Sequence, residues 1–230
     1  MKIKTIIDRI VALFEQGIGT DKTPLADRHV YNKMLTVRNF LVHRQAKSKN
    51  KIGEDNYVTL PCVELIKVPE ADCPCFVDLG CEVWRTKYPI PKPMVGADKT
   101  MIQYVMSLDN RVKIEEASRQ ETIYANGNKY TGKNNKYVYE NRHLYFKSPH
   151  TPKVVKIRML PEDPVEAYLY PSCCEGACTS CTYAGDFDFP IDGHLIEPLI
   201  AMCKEELITE FKAGVAGRAP QQQEEQQQQG

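Results

Sequence analysis

The sequence predicts an α+β protein: an N-terminal helical pair and a C-terminal helix packed as a helical layer, with a mostly antiparallel, β-rich body between them. Three observations carry this. Apolar residues recur at three- and four-residue spacing near both ends of the 230-residue chain, which is the period of a helix with one buried face. Between roughly residues 56 and 170 the texture changes to short runs rich in Val, Ile, Tyr and Thr, punctuated by Pro, Gly and Asn, as strands and tight turns are. The ends also carry opposite charge. Lys+Arg and Asp+Glu balance at 30 each, yet residues 1–53 hold 11 cations against 4 acids, a net of +7, and residues 184–230 hold 3 against 9, a net of −6. The middle, 54–183, is nearly even at 16 against 17.

Ile3, Ile6, Ile7, Ile10, Val11, Leu13 and Phe14 line one face of a first helix, ended by Gly17 and Gly19. Thr23 and Pro24 read as the cap and first residue of a second helix over about 24–46, since Thr accepts from an orphan amide and proline has none to lose there. Its apolar seam is Val30, Met34, Val37 and Leu41. The clearest strands are 57–68, 101–106, 121–125 and 154–159, and Asn126-Gly127 is a type I′ hairpin signal. A second hairpin is expected near Asn134-Asn135 or Glu140-Asn141, with Tyr124, Tyr130, Tyr137, Tyr139 and Tyr145 as a cross-strand aromatic ladder. The closing helix spans about 193–212, with Asp192 able to cap and Pro198 in the first turn. The predicted segments are thus a helical pair (1–50), a β-rich body with a cysteine-rich loop at 173–181 (51–189), a C-terminal helix returning to the helical layer (190–213), and a Gln/Glu tail (214–230) too polar to fold alone.

Several function classes are excluded as expectations. No apolar run approaches the ~18 residues that span a bilayer, and Asp8, Arg9 and Glu15 interrupt what would be the apolar stretch of a signal peptide. Secretion and membrane contact are therefore not expected, and the nine cysteines read as thiols made in a reducing cytoplasm. No phosphate-cradling loop, His-Glu-x-x-His or Gly-x-Ser-x-Gly motif occurs. His29, His43, His143, His150 and His194 are scattered and read as surface or packing residues.

Three features could carry recognition or metal chemistry. From Arg28 to Gly53 there are seven Lys/Arg and no acids. This is either a solvated helix face running into a basic loop, or a patch facing DNA phosphates or an acidic protein surface, with Arg38, Arg44, Lys47, Lys49 and Lys51 as its contact residues. Cys173, Cys174, Cys178 and Cys181 put four thiols in nine residues. Cys178 and Cys181 could bite one zinc ion, but adjacent cysteines seldom point at one ion, so a second pair would come from Cys73, Cys75 or Cys81. Reduced thiols, or a disulfide formed outside the cell, are the alternatives, and no cofactor other than zinc is suggested. The acids Asp186, Asp188, Asp192 and Glu197 are spaced like part of a calcium loop, but Pro190 and Ile191 occupy its fifth and sixth positions, where the turn glycine is needed. The bland reading is an extended lead-in to a helix.

The order of two helices, a sheet-rich body, an extended Pro-containing lead-in and a closing helix resembles the head-to-tail connector proteins of short-tailed phages, the ring, adaptor or tail-tubular proteins, and most closely those of crAss-like phages. The helical opening at residues 6–19, the basic end of the second helix, and the path from Tyr168–Pro171 through Asp186–Ile191 into His194–Ile200 and Glu205–Leu207 carry the likeness. The cysteine-rich loop departs from that pattern. The resemblance implies a structural virion protein without enzyme activity, assembled in the host cytoplasm. It would form a homo-oligomeric, dodecameric ring that docks to the portal and to neighbouring tail proteins, with genomic DNA passing through unread. The tail residues Gln221, Gln222, Gln223, Glu224 and Glu225 would clasp the portal or an adjacent subunit, and the two charged ends would pair within one subunit or between neighbours. The alternative is a zinc-stabilised nucleic-acid-binding protein using residues 28–51 as its phosphate track.

Overall fold

A computed structural model describes residues 1–18, 25–48, 52–69, 82–96, 100–117, 135–146, 151–171 and 184–227, with side chains through residue 213. The chain forms two compact units: a helical unit from Met1–Ile52 and Ala184–Gly230, and a β unit from Gly53–Tyr183.

In the helical unit, α1 (Ile3–Ile18) buries Ile3, Ile6, Ile7, Ile10 and Phe14, the face expected from their spacing. Gly17 does not end this helix. It lies in the last turn, where an added Cβ would stand 3.0 Å from Ile208 Cδ1, so its role is close approach to the C-terminal helix. Helix α2 (Asp27–Lys47) starts later than the sequence suggests, after an extended Ala26 that makes no side-chain cap; Thr23 and Pro24 lie outside the described residues. Asp27 instead places a carboxylate in the first turn, where it favours the helix dipole and accepts a hydrogen bond from Lys4 Nζ at 2.8 Å. Its hydrogen bonds to the Asp27 and Asp8 carboxylates hold the Lys4 ammonium well above its usual pKa.

The C-terminal helix follows a 3₁₀ turn at Gly193–Leu195. Asp192 does not cap that turn with its side chain; its carboxylate is 3.2 Å from Gln45 Nε2 on α2. The third segment of α-helix among the described residues is short: Pro164–Tyr168, in the β unit, here α3. The C-terminal helix, α4, runs Ile196–Gln227, well past the expected end near residue 212. Its Gln/Glu-rich continuation contains good helix formers, which lets the backbone persist as helix. Leu199, Ile200, Cys203 and Leu207 are buried on its inner face, and Phe211 meets Phe14 edge-on with centroids 6.0 Å apart.

The β unit is a closed seven-stranded barrel, an outcome not contained in the expectation of a β-rich body. Its strands are β1 (Val58–Pro69), β2 (Glu82–Thr86), β3 (Ile102–Ser107), β4 (Lys113–Glu116), β5 (Lys136–Glu140), β6 (His143–Phe146) and β7 (Val154–Met159), in the order β1-β2-β6-β5-β4-β3-β7. Every pairing is antiparallel except β4 with β5. Closure depends on β1, whose first half pairs with β7 and whose second half, from Leu65, pairs with β2. A bulge at Pro61-Cys62 shifts the register between Leu60 and Val63, so that Val58 and Leu60 before it and Val63 and Leu65 after it all face inward. Proline at the bulge removes no ladder donor. Strand β7 shows the clean period of two, with Val155, Ile157 and Met159 fully buried.

The hairpin expected at Glu140-Asn141 is present. Strands β5 and β6 are joined by Asn141 and Arg142 with φ of 48° and 64°, the two positive values a type I′ turn requires. Arginine is an unusual occupant, and the fold holds it on both sides: its carbonyl accepts from Ile90 N at 2.7 Å and its Nε donates to Ile90 O at 3.1 Å. Tyr137 stands opposite Phe146, ring centroids 6.0 Å apart, but the expected tyrosine ladder does not form between β5 and β6, because Tyr139 lies opposite Leu144 and Tyr145 opposite Val138; Tyr124, Tyr130 and the Asn126-Gly127 turn lie outside the described residues. Burial raises the Tyr137 phenol well above its usual pKa, so it stays neutral in the core.

Between β2 and β6, His143 Nδ1 sits 2.9 Å from the Thr86 carbonyl. A carbonyl only accepts, so Nδ1 carries the proton of a neutral ring, and burial lowers the His143 pKa below its ordinary value near 6.5. The unfolded chain then binds more protons than the folded one just below that value, so stability rises with pH from the lowered folded pKa to about 6.5 and is level above it. Thermal melting of His143→Gln should lack this slope while the parent keeps it. Truncation of Phe146 to Ala should cost about 3–5 kcal/mol in urea denaturation.

Candidate assembly surfaces of the helical unit

The residues expected to face partners all sit in, or next to, the helical unit, and the structure divides them. On α2, Val30, Met34, Val37, Leu41 and Val42 form the inward seam. Arg38 lies on that same side and is 0% exposed, so it is not a surface contact as the sequence suggests. Its Nε donates to the Pro190 carbonyl at 2.9 Å and its guanidinium lies 5.8 Å from the centre of the Phe189 ring. The physical reason is helical period: Arg38 is one turn from Met34, Leu41 and Val42.

Arg28, Phe40, Arg44 and Lys47 are exposed on the outward stripe of α2. Phe40 is 53% exposed, and the Arg44 guanidinium lies 5.9 Å from its ring centre, a cation–π contact that holds both side chains in place. Lys49 and Lys51 lie outside the described residues. Gln221 to Glu225 lie on the α4 backbone helix rather than on an extended tail.

Arg9, Lys33 and His29 of the basic end meet carboxylates of the acidic end inside one chain. Arg9 binds Glu197 at 2.8 Å; Lys33 binds Glu210 and, at 3.5 Å, Glu206; His29 Nε2 is 3.3 Å from Glu210. The hydrogen bond from Lys33 holds the Glu210 carboxyl below its usual pKa. The pairing of the two charged ends within one subunit, one of the two arrangements their opposed net charges suggest, is thus present, although the sequence did not single out these partners.

The candidate zinc ligands Cys173, Cys174, Cys178 and Cys181 lie outside the described residues, as do Cys73, Cys75 and Cys81. The uniform thiol reading is corrected at Cys62, which is disulfide-bonded. Cys203 is a free, buried thiol whose pKa burial pushes up to about 12, which leaves it unreactive in the α4 core.

The division between inward and outward cations is testable. Arg38→Glu buries an uncompensated charge and should destabilise by about 3–5 kcal/mol in urea denaturation, whereas Arg44→Glu should leave the midpoint unmoved.

A family model described as Phage tail ring protein 2 matches residues 5–214, which takes in nearly all of both units. No curated protein matches the chain. None of the helices among the described residues is long and apolar enough to cross a membrane. With helical ends joined in one unit, a barrel between them and this match along 5–214, the chain belongs to the phage tail ring protein 2 family of crAss-like phages, structural components of the virion tail.

Proposed function

We propose that the chain forms a closed, dodecameric homo-oligomeric ring in the head-to-tail connector, docking to the portal on one side and to the next tail component on the other while genomic DNA passes through its centre. The observation that carries this reading is the ring-family match over residues 5–214. The architecture agrees with it. A barrel has no free sheet edge to recruit strands at random, so contacts between copies fall to side-chain surfaces and to segments that extend from the units.

Two such segments are the basic outward stripe of α2, with Arg44 and Lys47 and with Lys49 and Lys51 following it in the sequence, and the C-terminal extension with Gln221, Gln222, Gln223, Glu224 and Glu225. Cations and carboxylates on different copies or on the portal attract over about a Debye length, which steers register and partner choice more than it adds affinity. DNA is passed rather than read, because sequence readout needs side chains presented to base edges, and Arg9 and Lys33 are already engaged by the chain's own acidic end.

Removal of residues 214–230 should reduce incorporation of the chain onto portal-bearing heads by about tenfold or more, the loss expected when a segment holding a hot spot is removed. Incorporation is read by mass spectrometry of purified particles. Unchanged incorporation would show that the extension plays no part in docking.

A further inference from the structure

The β unit carries a shallow cleft of about 480 Å³ between the segment around Pro89 and Pro91 and the start and end of α3. Its lining is mainly apolar, with Pro89, Pro91, Val165, Leu169, Tyr170 and Pro171, and the carboxylates of Asp163 and Glu166 on its rim. The walls are preformed. Ile90 is fully buried and locked to Arg142 by two hydrogen bonds. Asp163 caps α3 by accepting from Val165 N at 2.9 Å, and Glu166 pairs with Arg142 and accepts from Lys92 N at 3.3 Å. The Tyr170 hydroxyl reaches the Tyr88 carbonyl at 3.5 Å. Beside these fixed walls, Leu169 is 41% and Tyr88 44% exposed. Little ordering cost would remain for an occupant to meet.

The helical unit carries a feature of opposite shape and charge. Phe40 is the most exposed aromatic ring among the described residues; Arg44 lies over it and Lys47 is one turn from Arg44. No acid occurs from Arg28 to Gly53. Around the cleft, Lys92 pairs with Glu162 and Arg142 with Glu166, so the rim keeps a net charge of −1, carried by the capping Asp163. A ring of identical chains closes only if each copy offers two different, complementary surfaces, and aromatic and Arg side chains are the commonest anchors of such contacts.

We infer that the barrel cleft of one copy receives Phe40 of the neighbouring copy, with Arg44 and Lys47 set against the acidic rim. This rests on the ring reading above and supplies it with a copy-to-copy contact.

The test uses tails assembled from the full chain with p-benzoylphenylalanine in place of Phe40, made from equal amounts of heavy- and light-isotope copies. After irradiation, mixed-isotope cross-links are expected at residues 88–91 or 165–171. Mixed-isotope cross-links confined to other segments, or none in tails whose copies a lysine-directed reagent does join, would overturn the inference and leave the ring reading standing. Absence of any joined copies with that reagent would remove the ring reading and the inference together. Independently, Leu169→Asp should lower incorporation into tails about tenfold or more with the far-UV circular dichroism of the purified chain unchanged; full incorporation would overturn the inference.

Discussion

The helical unit depends on the chain coming back after the barrel. After a 3₁₀ turn at Ala184–Asp186, residues 187–192 return and lie against the first helices: Ile3 N donates to Phe187 O at 2.9 Å, and Phe189 N donates to Met1 O at 2.8 Å. Phe189 and Ile191 add buried apolar surface, and the Arg38 guanidinium closes the contact on the Pro190 carbonyl. A few backbone bonds would be weak on their own. They are reinforced by the buried Arg38 head, whose charge-assisted hydrogen bond to the Pro190 carbonyl any opened state would lose. Assembly of the helical unit therefore waits on synthesis of the β unit, since its third large helix follows that unit in the sequence.

This constraint accounts for the neutral total charge. A +7 segment and a −6 segment would each repel themselves if they stood alone, and the return segment puts them in one unit, where Arg9, Lys33 and His29 meet Glu197, Glu206 and Glu210. Each pair is partly exposed and worth about 0–1 kcal/mol, so the set aligns α4 with α1 and α2 more than it stabilises them. Apolar packing of Ile6, Ile10, Met34, Leu199 and Cys203 supplies the larger contribution. Of the cations outside this pairing, Arg28, Arg44 and Lys47 have no ion pair among the described residues and stand with Phe40 on the outward side of α2.

The barrel solves a different problem. A ring protein is present at high local concentration beside its own copies, a setting in which an open sheet edge would pair without limit. Closing seven strands removes that edge, and the bulge at Pro61-Cys62 gives β1 the bend and the inward phase that closure requires. Specific contact is then left to features such as the preformed cleft beside α3, which can be shaped without disturbing the ladder.

What was legible in the sequence follows from where one side of an element is wholly buried. The face of α1, the seam of α2, strands β1, β3 and β7, and the Glu140-Asn141 turn all show their period or their turn chemistry directly. Strands β2 and β4 do not: β4 has four residues and a single buried apolar side chain, Ile114, so its strand character comes from its neighbours' hydrogen bonds and not from its own pattern. Helix α3 was missed although Asp163-Pro164 is a cap followed by an N1 proline; a five-residue helix has too little length to display a period. The metal candidates fall outside the described residues, so the structure adds nothing to that part of the reading.

Arg38 shows how a charge run can mislead. Counted with its neighbours it belongs to an acid-free basic stretch, and such stretches usually lie in solvent. Placed on the helix, it is four residues after Met34, three before Leu41 and four before Val42, all buried; Gln45 continues the same line toward Asp192. Periodicity assigns a direction to each side chain, whereas local charge only describes a segment's average. Where the two disagree at one position, direction should prevail, because a cation with three apolar neighbours one turn away has no outward path open to it except by snorkelling past them. A lysine could take that path with its flexible stem. Arginine, with a planar head able to donate to a carbonyl and stack on an aromatic ring at once, is the cation suited to stay, and here the Pro190 carbonyl and Phe189 ring take up that head.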